Sequence, residues 1–218
     1  MARVWTIQLA KVWAALGSER FLYVDDHAEA HRGYFVPAYR WLQSQLASRL
    51  PAYSGHSPWW GYCWKPDIRR HWHLMEEGTE NVRLELEIAD ERVLQFPCWA
   101  WQRVFCGDYL AFTREEYEDW TNALRRAVPD EDVWPLPEPW QSKLEASWQR
   151  LFAASLPLLD WDGTWPWPRI ARRECVFELL RFDEVRRVTS FRGTLKRHVI
   201  RETRGDSGRI RESKRGRS

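Results

Sequence analysis

Residues 82–88 alternate apolar and charged side chains with a period of two. The apolar members are Val82, Leu84, Leu86 and Ile88, and the charged members are Arg83, Glu85 and Glu87. Because successive side chains of a strand point to opposite faces, this pattern predicts a strand with one buried and one solvated face. The chain must therefore build a sheet that has a core on at least one side.

Helices and further strands are interspersed around this segment. Helical spacing and end signals predict helices at 9–16 (ending at Gly17), 36–50, 113–128 and 139–154. Further strands are predicted at 3–8, 21–24, 57–64, 174–182 and 188–191, with 57–64 at a sheet edge because Pro58 interrupts it. The regular strand, helix, strand unit of a parallel sheet is missing. We therefore expect an α+β fold, with helices packed on a mixed or antiparallel sheet.

The charge distribution divides the 218 residues into a body and a tail. Residues 192–218 contain ten Lys or Arg and three acids, a net charge of +7, which leaves −5 for residues 1–191. We expect 1–191 to form a single domain and the tail to be disordered from about residue 200, because it has too few apolar residues to form a core. The tail is either an arm that contacts nucleic acid or a solubilising extension.

The remaining composition points to a cytoplasmic protein. No segment approaches the roughly 18 apolar residues of a membrane span, and residues 1–22 lack a signal peptide's apolar core. The four cysteines form no CxxC pair and are expected to be reduced thiols. His71, His73 and Cys63 do not have a recognised zinc spacing, so no metal is expected.

Sixteen tryptophans are the most unusual feature of the composition. At helical positions they are expected to pack in the core. Those outside helical periodicity either fill the core or line an aromatic cleft for a planar base. They are Trp59, Trp60 and Trp64, close to Tyr62, and Trp161, Trp165 and Trp167.

Two carboxylates stand out because they belong to an otherwise apolar strand. Alternation places Glu174 and Glu178 on the same face, where they either point to solvent or line a cleft. The signatures of the common hydrolases, nucleoside triphosphatases, dinucleotide-binding enzymes and zinc proteases are absent from the sequence.

Several short motifs together resemble an uncharacterised bacterial family known only as a domain of unknown function. They are Trp5-Thr6-Ile7-Gln8, Ala38-Tyr39-Arg40-Trp41-Leu42, Leu84-Glu85-Leu86-Glu87-Ile88, and Val176-Phe177-Glu178-Leu179 leading to Glu184-Val185 and Val188. The resemblance covers residues 3 to about 192. One departure concerns the last strand, where the family pattern leads us to expect glutamine near Glu174.

A more distant similarity is to the ADP-ribosyltransferases. Gly33-Tyr34-Phe35 is similar to the Gly-Tyr-Phe of the poly-ADP-ribose polymerase type, and 174–177 is similar to that type's late strand, which begins with the catalytic glutamate. The first strand departs from the family, having Thr6 and Gln8 where those enzymes use His or Arg.

This second resemblance implies a site and a substrate. Glu174 would be the catalytic carboxylate, Tyr34 would stack on the nicotinamide of NAD, and Thr6 or Gln8 would anchor its amide. The acceptor would be a nucleic acid or a protein, brought close by the basic tail. The alternative is a module without enzymatic activity that binds nucleic acid or another protein through an aromatic cleft and the tail.

Overall fold

The computed structural model describes residues 1–24, 35–68, 78–130, 133–153 and 172–193. The strands in these ranges are β1 (Ala2–Leu9), β2 (Phe21–Leu22), β3 (Trp59–Tyr62), β4 (Glu80–Ile88), β5 (Leu94–Pro97), β6 (Arg173–Phe177), β7 (Leu180–Arg181) and β8 (Val185–Arg192). The helices are α1 (Ala10–Glu19), α2 (Val36–Arg49), α3 (Cys98–Phe105), α4 (Arg114–Ala127) and α5 (Trp140–Trp148).

Six of the described strands form one sheet, in the order β5, β6, β3, β1, β4, β8. Every neighbouring pair in it is antiparallel. The short strands β2 and β7 pair with each other outside this sheet. The predicted α+β fold is therefore confirmed, and the sheet is antiparallel.

The alternation that predicted β4 is confirmed on its apolar side. All eight residues of β1 pair in register with β4, from Ala2 with Ile88 to Leu9 with Asn81, and all four apolar members of the pattern are buried. The prediction for Arg83 is wrong. Its side chain is buried too. One guanidinium nitrogen donates to the Pro66 carbonyl at 2.8 Å, and this bond compensates for the loss of water.

Each face of the sheet carries its own core. On the first face, Val4, Leu86 and Cys175 pack together with Leu16 of α1. On the second face, residues of β5 and β6 form a core with α2, α3 and α5. This second core includes Phe96, Val176, Leu42, Trp101 and Trp148. The two cores make the sheet the middle layer of the fold.

The sequence predicted that the first helix ends at Gly17, and this prediction is wrong. Helix α1 continues to Glu19, and Arg20 caps it with a left-handed backbone (φ 68°) while its N–H donates to the Leu16 carbonyl at 3.0 Å. This conformation is common for glycine at a helix end and uncommon for a residue with a Cβ.

Strand β3 lies inside the sheet, between β6 and β1, so its predicted edge position is wrong. Pro58 precedes the first residue of the strand and leaves the ladder intact. Gly61 is required by close packing, because a Cβ there would come within 2.6 Å of Val4 Cγ1 and 3.0 Å of Cys175 Sγ.

Other boundaries follow the sequence more closely. Helix α2 agrees with its prediction, and α4 begins at the predicted cap, where the Glu116 N–H donates to Thr113 Oγ1 at 3.2 Å. The strand predicted over 174–182 divides into β6 and β7, and the last turn of α5 becomes a 3₁₀ helix over Gln149–Phe152. Strand β5 and helix α3 were not predicted.

Some predictions fall on residues outside the described ranges. They concern Tyr34, the pair His71 and His73, the tryptophans at 161, 165 and 167, and the tail from residue 194. In the part of the chain that is described, no helix has the length and apolar character needed to cross a membrane.

Candidate functional site

Glu174 lies in a row of side chains that crosses all six strands on the second face. The row follows from the register of each neighbouring pair and contains Phe96, Glu174, Tyr62, Trp5, Glu85 and Arg187. Residues opposite each other on antiparallel strands share a face, so Glu174 lies between the aromatic rings of Phe96 and Tyr62.

The Glu174 carboxylate is only partly exposed and forms no ion pair with the described residues. Among the described residues, the one hydrogen bond to this carboxylate comes from the thiol of Cys98, which donates to Oε1 at 3.2 Å. Burial raises the pKa of Glu174, and the bond from Cys98 offsets only part of that effect. Burial and the nearby Glu174 charge also raise the pKa of Cys98. A partly buried carboxylate without a cation costs folding energy, which is a common property of functional sites.

Aromatic and cationic groups flank this carboxylate. The Tyr62 and Trp64 rings meet edge to face with centroids 4.9 Å apart, and the Arg172 guanidinium lies 5.2 Å from the Trp64 centroid. Burial and the charge of Glu174 raise the pKa of Tyr62 well above its ordinary value, so this phenol remains protonated. The site combines stacking surfaces, a cation and an acid.

The structure does not bring Thr6 and Gln8 together with Glu174. Thr6 pairs with Leu84 and lies on the first face, where its hydroxyl donates to the Trp60 carbonyl and accepts from the Gln8 amide, each at 2.7 Å. Thr6 is 1% exposed. The hydroxyl completes the hydrogen bonding of β3 at the point where its ladder with β1 ends.

Three of the tryptophans predicted to fill the core or line a cleft lie in the described residues. Trp59 and Trp60 alternate along β3 and pack against the first and second cores respectively. Trp64, just after the strand, meets the ring of Tyr62. A strand directs neighbouring side chains to opposite faces, so Trp59 and Trp60 do not share one cleft.

Glu178 has a different environment from Glu174. It lies just beyond the end of β6 and is 8% exposed. Its carboxylate accepts from the backbone N–H groups of Ser54 and His56 and from the Ser54 hydroxyl, at 2.8 to 3.0 Å. Burial raises its pKa, but these hydrogen bonds together outweigh burial and hold the pKa below the ordinary value. Glu178 therefore fixes the loop that precedes β3.

The described residues offer little to a metal ion. They contain no group of three or more His, Cys, Asp or Glu side chains arranged to hold one. The interaction between the thiols of Cys63 and Cys175 lowers the pKa of Cys63 and, together with burial, raises that of Cys175. All four cysteines are free.

Comparison with known proteins gives one positive result. No curated protein and no solved structure matches the chain. A family model described as a domain of unknown function, DUF3841, matches residues 3–159, a range that includes Thr6, Gln8 and Tyr34 and ends before Glu174. The chain therefore belongs to the DUF3841 family.

Proposed function

We propose that this protein transfers ADP-ribose from NAD to a nucleic-acid or protein acceptor, with Glu174 as the catalytic carboxylate. One observation carries the proposal. Glu174 is an acid without a cationic partner in the described structure, and it lies beside Tyr62, whose ring meets that of Trp64. A carboxylate placed only for folding would be expected to have a cation or several hydrogen-bond donors, as Glu178 has.

The chemistry requires a negative charge near the ribose. In the transfer, the bond between C1′ and the nicotinamide nitrogen breaks, and nicotinamide leaves with the bonding electrons. The acceptor then forms its bond to C1′ and loses a proton. Positive charge develops on the ribose as the first bond breaks, and the Glu174 carboxylate would stabilise it, as carboxylates do in glycoside hydrolysis.

The surrounding residues supply the other contacts in this proposal. Tyr62 and Trp64 provide rings on which a nicotinamide can stack, and Arg172 provides a cation for the pyrophosphate. Thr6 and Gln8 lie on the opposite face of the sheet from Glu174, so they could not contact a substrate bound there. We therefore assign the substrate contacts to Tyr62 and Trp64. Tyr34 keeps its predicted stacking role.

Nicotinamide release from NAD tests the proposal. Purified protein is given NAD with DNA, RNA and protein acceptors in turn, and Glu174→Gln should reduce release by about 100-fold or more, because the neutral isostere removes the stabilising charge. Glu87→Gln is the matched control, since Glu87 is an exposed carboxylate of the same sheet, bonded to Arg186 at 2.9 Å. Full activity of Glu174→Gln would remove this residue from the site.

The acceptor and the cellular setting belong to the same proposal. The basic tail, with ten cationic residues, would hold an acidic acceptor close to the site in the cytoplasm. If wild-type protein neither binds NAD in calorimetry nor releases nicotinamide, the binding module without enzymatic activity replaces the transferase.

A further inference from the structure

A surface cavity of about 430 Å³ lies away from Glu174, between the end of α1 and the short ladder of β2 and β7. It is lined by Arg20, Phe21, Tyr23, Leu179, Arg181 and Asp183. Its volume falls in the range of small-ligand sites. Leu22 and Leu180, which pair beside it, belong to the core on the first face of the sheet, whereas Glu174 lies on the second face.

The cavity has an aromatic wall that faces water. Phe21 and Tyr23 are 54% and 38% exposed, and their rings meet edge to face with centroids 6.3 Å apart. Tyr23 also stacks on the imidazole of His56, with centroids 3.9 Å apart. His56 Nδ1 is in turn 3.3 Å from Glu178 Oε1. An exposed ring held by a buried carboxylate through a histidine is prepared to stack on a planar ligand.

Two guanidinium groups complete the wall, and neither forms an ion pair with a described residue. Arg20 lies 3.9 Å above the Phe182 ring, which stacks on Trp13 at 5.3 Å. The Arg20 carbonyl also accepts from the Phe182 N–H at 2.9 Å, so backbone and side chain are both held in place. Arg181, on β7, is exposed.

The backbone of Arg20 places this cation at the end of α1. Its φ of 68° belongs to the left-handed cap of the helix, a position that suits glycine better than arginine, yet the chain has a long cationic side chain there.

These groups match the parts of a ribonucleoside phosphate. We propose that the cavity binds this ligand, either as a free nucleotide or as a unit of single-stranded RNA. The base stacks on Phe21 and Tyr23, as bases stack on exposed aromatic residues of nucleic-acid-binding proteins. The phosphate pairs with Arg20 and Arg181. Asp183, the one acid among the described lining residues, repels the phosphate but accepts from the ribose hydroxyls, as acids do in dinucleotide sites.

The test is calorimetry of the full chain with 5′-AMP, 5′-dAMP, inorganic phosphate and a single-stranded oligoadenylate RNA. Wild type should bind AMP more tightly than dAMP, and both more tightly than phosphate. Arg20→Gly and Arg181→Gln should each weaken AMP binding roughly tenfold or more, since each removes a charge-assisted hydrogen bond. Arg20→Gly also relieves the positive φ, so the fold should tolerate it. The matched control is Lys11→Gln, which removes an exposed cation from helix α1, the helix that Arg20 caps. This variant should bind AMP as wild type does.

Each outcome decides the proposal. Tighter binding of the RNA than of AMP assigns the site to nucleic acid, and equal or weaker binding of the RNA assigns it to free nucleotides. The proposal is overturned if neither ligand binds, if phosphate binds as well as AMP, or if Trp64→Ala weakens AMP binding while Arg20→Gly does not. Nicotinamide release by Arg20→Gly is measured in parallel, because that activity belongs to the other face and should persist.

Discussion

The carboxylate of Glu178 accepts a hydrogen bond from the backbone N–H of His56 at 2.8 Å, joining residues 122 positions apart in the sequence. Together with the bonds from Ser54, this contact attaches the loop before β3 to the end of β6. Strands β3 and β6 are neighbours in the sheet, so one carboxylate fixes both the loop and the strand end.

Replacing Glu178 should reveal this role through pH. Its pKa is lowered in the folded protein, so its contribution to stability is present above the ordinary carboxyl value of 4.5 and is lost as pH falls through the lower folded value. We expect Glu178→Gln to reduce the free energy of unfolding by about 1–2 kcal/mol at pH 7. Urea unfolding at several pH values should show the gap from wild type closing in acid. A gap as large in acid, well below pH 4.5, as it is at pH 7 would contradict this account.

Glu174 should behave in the opposite way. Burial raises its pKa, so the folded state favours the protonated form, and the cost of the charge grows as pH rises above the ordinary value of 4.5 and is complete above the folded pKa. Glu174→Gln keeps an acceptor for the Cys98 thiol and removes the charge. We expect its Tm at pH 7 to rise by about 2 °C or more, with a smaller gain at pH 4, where more of the wild type is protonated. Thermal unfolding followed by circular dichroism measures both values, and a fall in Tm at pH 7 would show that the charge supports the fold.

Two glycines provide a test of the packing around β3. At Gly61 an added Cβ would lie 2.6 Å from Val4 Cγ1, so Gly61→Ala should destabilise the protein by roughly 1–3 kcal/mol. At Gly17, inside α1, no atom lies within 4 Å of an added Cβ, and Gly17→Ala should stabilise by about 0.5 kcal/mol through helix propensity. Chemical denaturation of both variants gives the comparison. If both changes are neutral, β3 is not packed between Val4 and Cys175 as described.

The two faces of β4 should respond unequally to charge. Leu86 is fully buried, and Leu86→Asp should cost roughly 4 kcal/mol or more, enough to unfold much of the protein. Glu85 is partly exposed and lies 3.7 Å from the Arg3 guanidinium and 4.0 Å from that of Arg187. Glu85→Lys should therefore cost less than about 1 kcal/mol. Soluble yield and circular dichroism would report the difference, and similar behaviour of the two variants would rule out the assigned faces.

Local patterns in the sequence predicted the elements that depend on local physics. Alternation identified β4, helical spacing identified α2, and the capping box at Thr113 identified the start of α4. Each of these signals acts within a few residues. Strand β5 and helix α3 were missed because the strand has only four residues, the last of which is Pro97, and so few residues do not show a period.

Strand order and side-chain environment depended on contacts distant in sequence. Alternation placed Glu174 and Glu178 together, but the strand ends at Phe177, and Glu178 turns to the backbone N–H groups of Ser54 and His56. The interior position of β3, and with it the placement of Tyr62 beside Glu174, follows from pairing with β6 more than 100 residues away.

Apolar alternation was enough to predict an α+β fold with a sheet that buries a core, because that period is a property of neighbouring residues. Which polar groups share a face depends on the tertiary fold. It placed Thr6 and Gln8 on the opposite side from Glu174 and gathered Arg20, Tyr23 and Arg181 at one cavity. The reason is that strand register and loop packing are set by long-range burial, and no single segment carries that information.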